Sequence, residues 1–147
     1  MPQFLPDSVR PATRLMLFVD GENLAIRYKC ALGGETPPSH VRLEPDVWVW
    51  SSYLQIHNRR AEVIRQYYFT SVAGDVDRRK SVEDALRAEG IQAPRVFSKQ
   101  KGRHTKQVDI SLATEVLTHA HRGNYDVAVL VAGDSDYVPL GVNATCR

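Results

Sequence analysis

Four aspartates carry the chemistry that this sequence is equipped to do. Asp20 directly follows the apolar run Leu15-Met16-Leu17-Phe18-Val19, and Asp134 and Asp136 directly follow a second run that ends in Val131-Ala132-Gly133. Asp109 falls in the first turn of the helix expected ahead of that second run. Carboxylates brought together repel, and some take up protons unless a cation joins them. Hard oxygen ligands with open positions suit Mg²⁺ or Mn²⁺ and suit zinc poorly. A cation held in this way can bind a phosphodiester, lower the pKa of a bound water and stabilise the leaving oxygen. Each acid also has a plainer reading: Asp20 as a helix N-cap, Asp109 as the complement of a helix dipole, Asp134 and Asp136 as turn acids. The joint pattern is stronger than any member. Asn23, three residues after Asp20, is placed to orient a water or a phosphate from the helix start, whereas Glu22 is expected to face solvent.

A basic segment precedes Asp109. Lys99, Lys101, Arg103, His104 and Lys106 form a loop, and because electrostatics supplies much of nucleic-acid affinity, Lys99, Lys101, Arg103 and Lys106 are the candidate phosphate contacts. The plainer alternative is a solvated loop. His104 is a weaker candidate for proton transfer. Arg59-Arg60 and Arg78-Arg79-Lys80 read as surface charge. The formal net charge of +2 is too small to imply a polyanionic partner, so the inference rests on local charge.

These groups need elements to position them. Residues 1–13 read as a loose lead-in, and 14–147 as one domain. Leu15–Val19 has the continuous apolar character of a strand buried on both faces. A helix follows Asp20-Gly21-Glu22-Asn23 to about Leu32, and Gly33–Ser39 is a Gly- and Pro-rich loop. Glu44-Pro45-Asp46 reads as a helix start, with Pro at the first helical position and Val47, Trp50 and Leu54 as an apolar stripe. Trp48 and Trp50 are expected in the core. Val63–Phe69 is the second strand. Val82, Ala85 and Leu86 mark a helix that Gly90 stops. Ile91–Phe97 is a third strand, placed at or near an edge by Pro94. Val108–His121 is a helix ended by Gly123-Asn124, with Asp109, Ala113, Val116 and Ala120 assigned to its sheet-packing face. Val127–Ala132 is the fourth strand. The order β-α-α-β-α-β-α-β predicts an α/β fold with a mainly parallel sheet between helical layers and right-handed crossovers. Functional groups gather at the carboxyl ends of such strands, where Asp20, Asp134 and Asp136 fall. If the first and fourth strands are neighbours, the three carboxylates crowd one rim.

The segments Leu17-Phe18-Val19-Asp20-Gly21-Glu22-Asn23, Lys106-Gln107-Val108-Asp109-Ile110-Ser111-Leu112-Ala113 and Tyr125-Asp126-Val127 through Gly133-Asp134-Ser135-Asp136-Tyr137-Val138-Pro139-Leu140 together resemble the NYN domain, a branch of the PIN-like ribonucleases. The likeness spans residues 15–140 in order, and its last block is the most specific. It implies a three-layer parallel fold, a divalent metal, RNA cleavage, and site roles for Asp20, Asp109, Asp134 and Asp136 with Asn23 beside them. The family pattern continues after Leu140 with a helix and a further strand. Gly141–Arg147 are too few to supply both, so the domain is expected to stop short, and either self-association as a homo-oligomer or lower stability than a version with both elements is expected with it.

Composition narrows the field further. At 147 residues, 43% hydrophobic and 24% charged, the chain has the size and balance of one globular domain. Cys30 and Cys146 have no Cys or His neighbour at zinc-ligand spacing and read as thiols of a reducing compartment. No signal peptide and no membrane-length apolar run is visible, so the expected location is the cytoplasm. The reading is a metal-dependent endoribonuclease acting on single-stranded RNA. Its alternatives are a non-cleaving RNA-associated regulatory module on the same fold and an aspartyl phosphatase, with Asp20 as nucleophile and Glu22 as acid/base.

Overall fold

The apolar run at the start of the chain forms a strand, β1 (Thr13–Asp20), in which every residue from Leu15 to Asp20 is buried. Helix α1 (Gly21–Leu32) follows without a linker. A hairpin of β2 (Val41–Glu44) and β3 (Trp48–Ser51) comes next, then β4 (Ala61–Val72), α2 (Val76–Ala88), β5 (Ala93–Ser98), α3 (Lys106–His121), β6 (Val127–Val131) and β7 (Ala144–Cys146). The computed structural model describes residues 11–54, 60–99, 106–132 and 144–146.

The main sheet has the order β5-β4-β1-β6-β7, with every neighbouring pair parallel. β1 is central because its side chains are apolar toward both faces. Met16 and Phe18 join Tyr67, Phe69, Ala128 and Leu130 beneath Val108, Leu112 and Val116 of α3. Leu17 and Val19 join Tyr68 and Val72 on the opposite face, against Val82 and Leu86 of α2 and the tryptophans of β3, with Leu24 of α1 packed alongside. This is the α/β/α arrangement read from the sequence. Pro94 lies on β5, an edge strand as expected. β6 is less enclosed than β1: Ala128 and Leu130 are buried, whereas Val127, Val129 and Val131 are half-buried.

The structure corrects three expectations of the fold. Residues 44–51 are not helical, and only Ser52–Leu54 make a single 3-10 turn. Glu44 to Val47 make a turn, with the Val47 N–H donating to the Glu44 carbonyl at 3.0 Å and Asp46 at φ +61°. Pro at the second position and positive φ at the third is the pattern of a type II turn, so the signal that resembled a helix start was a turn signal. Trp48, Val49 and Trp50 then run as a strand, consistent with the β preference of aromatic and β-branched residues, and all are buried. Two side chains of β4 fasten this hairpin: the Tyr68 hydroxyl donates to the Val49 carbonyl and accepts the Val49 N–H, both at 3.0 Å, and Thr70 Oγ1 donates to the Val47 carbonyl.

Second, the face that α3 packs on the sheet is Val108-Leu112-Val116; Asp109 and Ala113 are half-buried on its flank and Ala120 is exposed. Third, a strand does follow β6. Residues Ala144–Cys146 pair in parallel with Val129–Val131. No helix among the described residues is long and apolar enough to cross a membrane. Cys30 is an exposed free thiol.

Candidate active site

The strand order places the site. The connection from β1 leads to β4 on one side of the sheet, whereas β6 pairs with β1 on the other. In open α/β sheets the crevice at such a reversal, outside the carboxyl ends of the strands, is where ligands bind. Asp20 is the last residue of β1 and only 3% exposed. In the β1–β6 register Val19 is opposite Val131, so the residue after Val131 lies beside Asp20, and Asp134 is two residues further along the chain. The neighbour relation on which the acidic cluster depended is therefore present.

Asp20 has a second duty. Its Oδ1 accepts the Asn23 N–H at 3.1 Å and caps α1. The helix start thus presents its positive dipole end to the same rim. Gly21 is required there by close approach: a Cβ on it would stand 1.9 Å from Cε1 of the Tyr68 ring. Burial pushes the Tyr68 hydroxyl above its ordinary range, and the Asp20 charge adds to that shift. Tyr68 consequently stays a neutral hydrogen-bond donor beneath the site.

Asp109 reaches the same end of the sheet by helix length. Arg14, near the start of β1, donates through Nη2 to the Gly123 carbonyl at 3.1 Å, which sets the far end of α3 at the amino rim. The 16 residues of α3 rise about 24 Å. The eight of β1 rise about 26 Å. The first turn of α3, with Asp109, accordingly stands over the carboxyl rim. Asp20 continues the parity of Met16 and Phe18, on the face that carries α3.

Glu22 was expected in solvent and is instead 6% exposed. Its Oε2 accepts the Ser71 hydroxyl at 2.7 Å, and its Oε1 is 3.8 Å from Lys99 Nζ. Ser71, 1% exposed, lies near the carboxyl end of β4, and Lys99 directly follows β5, its N–H donating to the Val72 carbonyl at 2.9 Å. Sequence reading missed this group because it ended the second strand at Phe69. The available signal was Thr70-Ser71, two small hydroxyls at the exit of a buried strand. Asn23 is half-buried, and Lys106 is the first residue of α3. Asp134, Asp136, Lys101, Arg103 and His104 lie outside the described residues. Among the described residues no three His, Cys, Asp or Glu side chains form a metal-ligand group. A cavity of about 220 Å³ between the later half of α1 and the hairpin is lined by Ala25, Tyr28, Leu32, Leu43 and Trp48 among others. It is apolar, and among the described residues neither Asp20 nor Asp109 borders it.

The family model of the NYN domain matches residues 14–145, nearly the whole chain. No curated protein and no solved structure matches it.

Proposed function

The chain belongs to the NYN domain family, whose members are nucleases acting on RNA, and on that premise we propose that it is a metal-dependent endoribonuclease using Asp20, Asp109, Asp134 and Asp136. One observation carries this reading. Asp20 is a buried carboxylate at the carboxyl end of the central strand, at the reversal of strand order, beside the strand that leads to Asp134 and Asp136. A carboxylate placed at the rim of the sheet rather than in the core, beside the start of a helix, suits a charged ligand.

The donor set fits a hard divalent cation, since all four proposed ligands are carboxylates. Asp20, Asp109, Asp134 and Asp136 would hold Mg²⁺ or Mn²⁺. When bound, such an ion supplies charge neutralisation for a phosphodiester and acidifies water. The chain's own residues do the rest: the α1 start turns its dipole toward the substrate phosphate, Asn23 orients it, and Lys99, Lys101, Arg103 and Lys106 draw the RNA backbone to the rim. Single-stranded RNA is the proposed substrate and the cytoplasm the proposed location.

The test is labelled single-stranded RNA and DNA incubated with the protein in Mg²⁺, Mn²⁺ or EDTA. RNA cleavage that requires the metal is expected. Cleavage unchanged by EDTA, or none in any condition, overturns the proposal.

A further inference from the structure

Glu22 is a carboxylate with almost no access to water, two residues after Asp20 and at the rim of a site proposed to receive a polyanion. By charge alone it should oppose that role. Its surroundings indicate another. Ser71 fixes Oε2 from β4, and Oε1 is turned to within 3.8 Å of the Lys99 ammonium, which is still 38% exposed. Lys99 in turn is the residue at which the chain leaves β5 for the basic segment 99–106, and its backbone is tied to β4 through Val72. Three elements, α1, β4 and the exit of β5, therefore meet at one carboxylate. A long, flexible side chain loses much rotamer freedom when its ammonium binds a phosphate, and a fixed counter-charge beside that ammonium meets part of the cost beforehand.

We propose that Glu22 is a positioning residue: held by Ser71, it sets Lys99 at the acidic rim, so that Lys99 contacts the RNA phosphate beside Asp20. The inference rests on the ribonuclease reading, and the sign of one measurement separates the two. If Glu22 only adds negative charge to the rim, Glu22→Gln relieves repulsion and tightens RNA binding. If it positions Lys99, the same loss of a negative charge weakens binding of a polyanion.

The experiment is equilibrium binding of a labelled single-stranded oligoribonucleotide to the full chain in EDTA, across a salt series, for wild type, E22Q, K99M, the double variant and Ser71→Ala. Glutamine keeps an oxygen for the Ser71 hydroxyl and loses the ion pair. E22Q is expected to weaken binding about tenfold, the effect of one charge-assisted contact, and to lower the salt slope by about 0.7. It should have no weakening effect in the K99M background, and S71A should weaken binding in the same direction with Glu22 intact. Thermal melting of each variant excludes loss of fold as the cause. Tighter binding by E22Q, or equal weakening with and without Lys99, overturns the proposal and leaves the nuclease reading standing. Unchanged binding by E22Q with loss of cleavage in Mg²⁺ assigns Glu22 to the catalytic group instead and overturns it as well. A wild-type chain that neither binds nor cleaves RNA overturns both.

Discussion

At the scale of single residues, the rim is made by side chains that each satisfy a structural need and leave something over. Asp20 caps α1 through Oδ1 and is a buried acid at the end of the central strand. The two roles separate under substitution, because Asn caps a helix about as well as Asp but cannot supply the charge. Asp20→Asn is therefore expected to shift unfolding stability by no more than about 0.5 kcal/mol while cutting metal-dependent cleavage at least about a hundredfold. Chemical denaturation and initial rates on the same preparation check it, and near-wild-type cleavage would reduce Asp20 to a cap. Gly21 is constrained by space. A methyl there meets the Tyr68 ring at 1.9 Å, and that ring anchors the hairpin through Val49. Gly21→Ala should cost about 1–3 kcal/mol, the usual range for overpacking; an unchanged denaturation midpoint would show that the helix start can shift to make room. Of these residues Asp20 was legible in the sequence as a rim acid, because an acid directly after an apolar run is conspicuous. Glu22 was not: its burial is set by Ser71 and Lys99, 49 and 77 residues away in the chain.

At the scale of elements, what could be read was whatever depends on local pattern. β1 declares itself by five apolar residues in succession, and α3 by its period and by the Gly123 that turns the chain left-handed at its end. The hairpin defeated the same logic. Val47, Trp50 and Leu54 fall at helical intervals by chance, and Pro45-Asp46 suits a helix start and a tight turn equally. Tertiary packing decided between them, since Tyr68 and Thr70 of β4 supply partners for the backbone of the hairpin and none for a helix. The turn makes its own prediction. Asp46 sits at φ +61°, a conformation that Gly adopts readily and a β-branched residue does not. Asp46→Val should destabilise by about 1–2 kcal/mol, and Asp46→Gly should be close to neutral. Equal effects in thermal melts would mean that the turn can rearrange.

The start of the sheet has a clasp of a different kind. Arg14 donates from its backbone and guanidinium to Asp126, joining the first residues of β1 and the approach to β6. This holds the Asp126 carboxyl below its ordinary value of 3.8. A carboxyl lowered by folding contributes stability that is present above the unfolded value and lost as pH falls through the folded one. Both partners are exposed, so the contribution is small and salt-screened. The difference in stability between wild type and Asp126→Asn should be seen at pH 6 and low salt and should shrink as the pH falls below the ordinary carboxyl value of 3.8. A difference that persists in strong acid would show that the clasp is not electrostatic.

At the scale of the whole molecule, the chain faces a conflict that its totals conceal. A net charge of +2 gives little long-range pull on RNA, and the rim where RNA is proposed to bind holds the buried carboxylates of Asp20 and Glu22. Positive charge must therefore be local, and the topology allows one convenient place for it. The segment between β5 and α3 leaves and re-enters the fold at the carboxyl end of the sheet, carrying Lys99 at one end and Lys106 at the other. With so little net charge to supply background attraction, this segment should account for most of the salt dependence of binding. Replacing Lys99, Lys101 and Arg103 together by glutamine is then expected to lower the slope of log affinity against log salt by about 2, at about 0.7 for each phosphate contact on a single strand. The same variant should keep the metal requirement and the cleavage rate at saturating RNA, because the acids are untouched. Binding in EDTA over a salt series reads the slope, and initial rates in Mg²⁺ at high RNA read the chemistry. A slope equal to that of wild type would return the segment to solvent and move the phosphate contacts elsewhere. A rate that fell with the slope unchanged would place these cations in the chemical step rather than in capture.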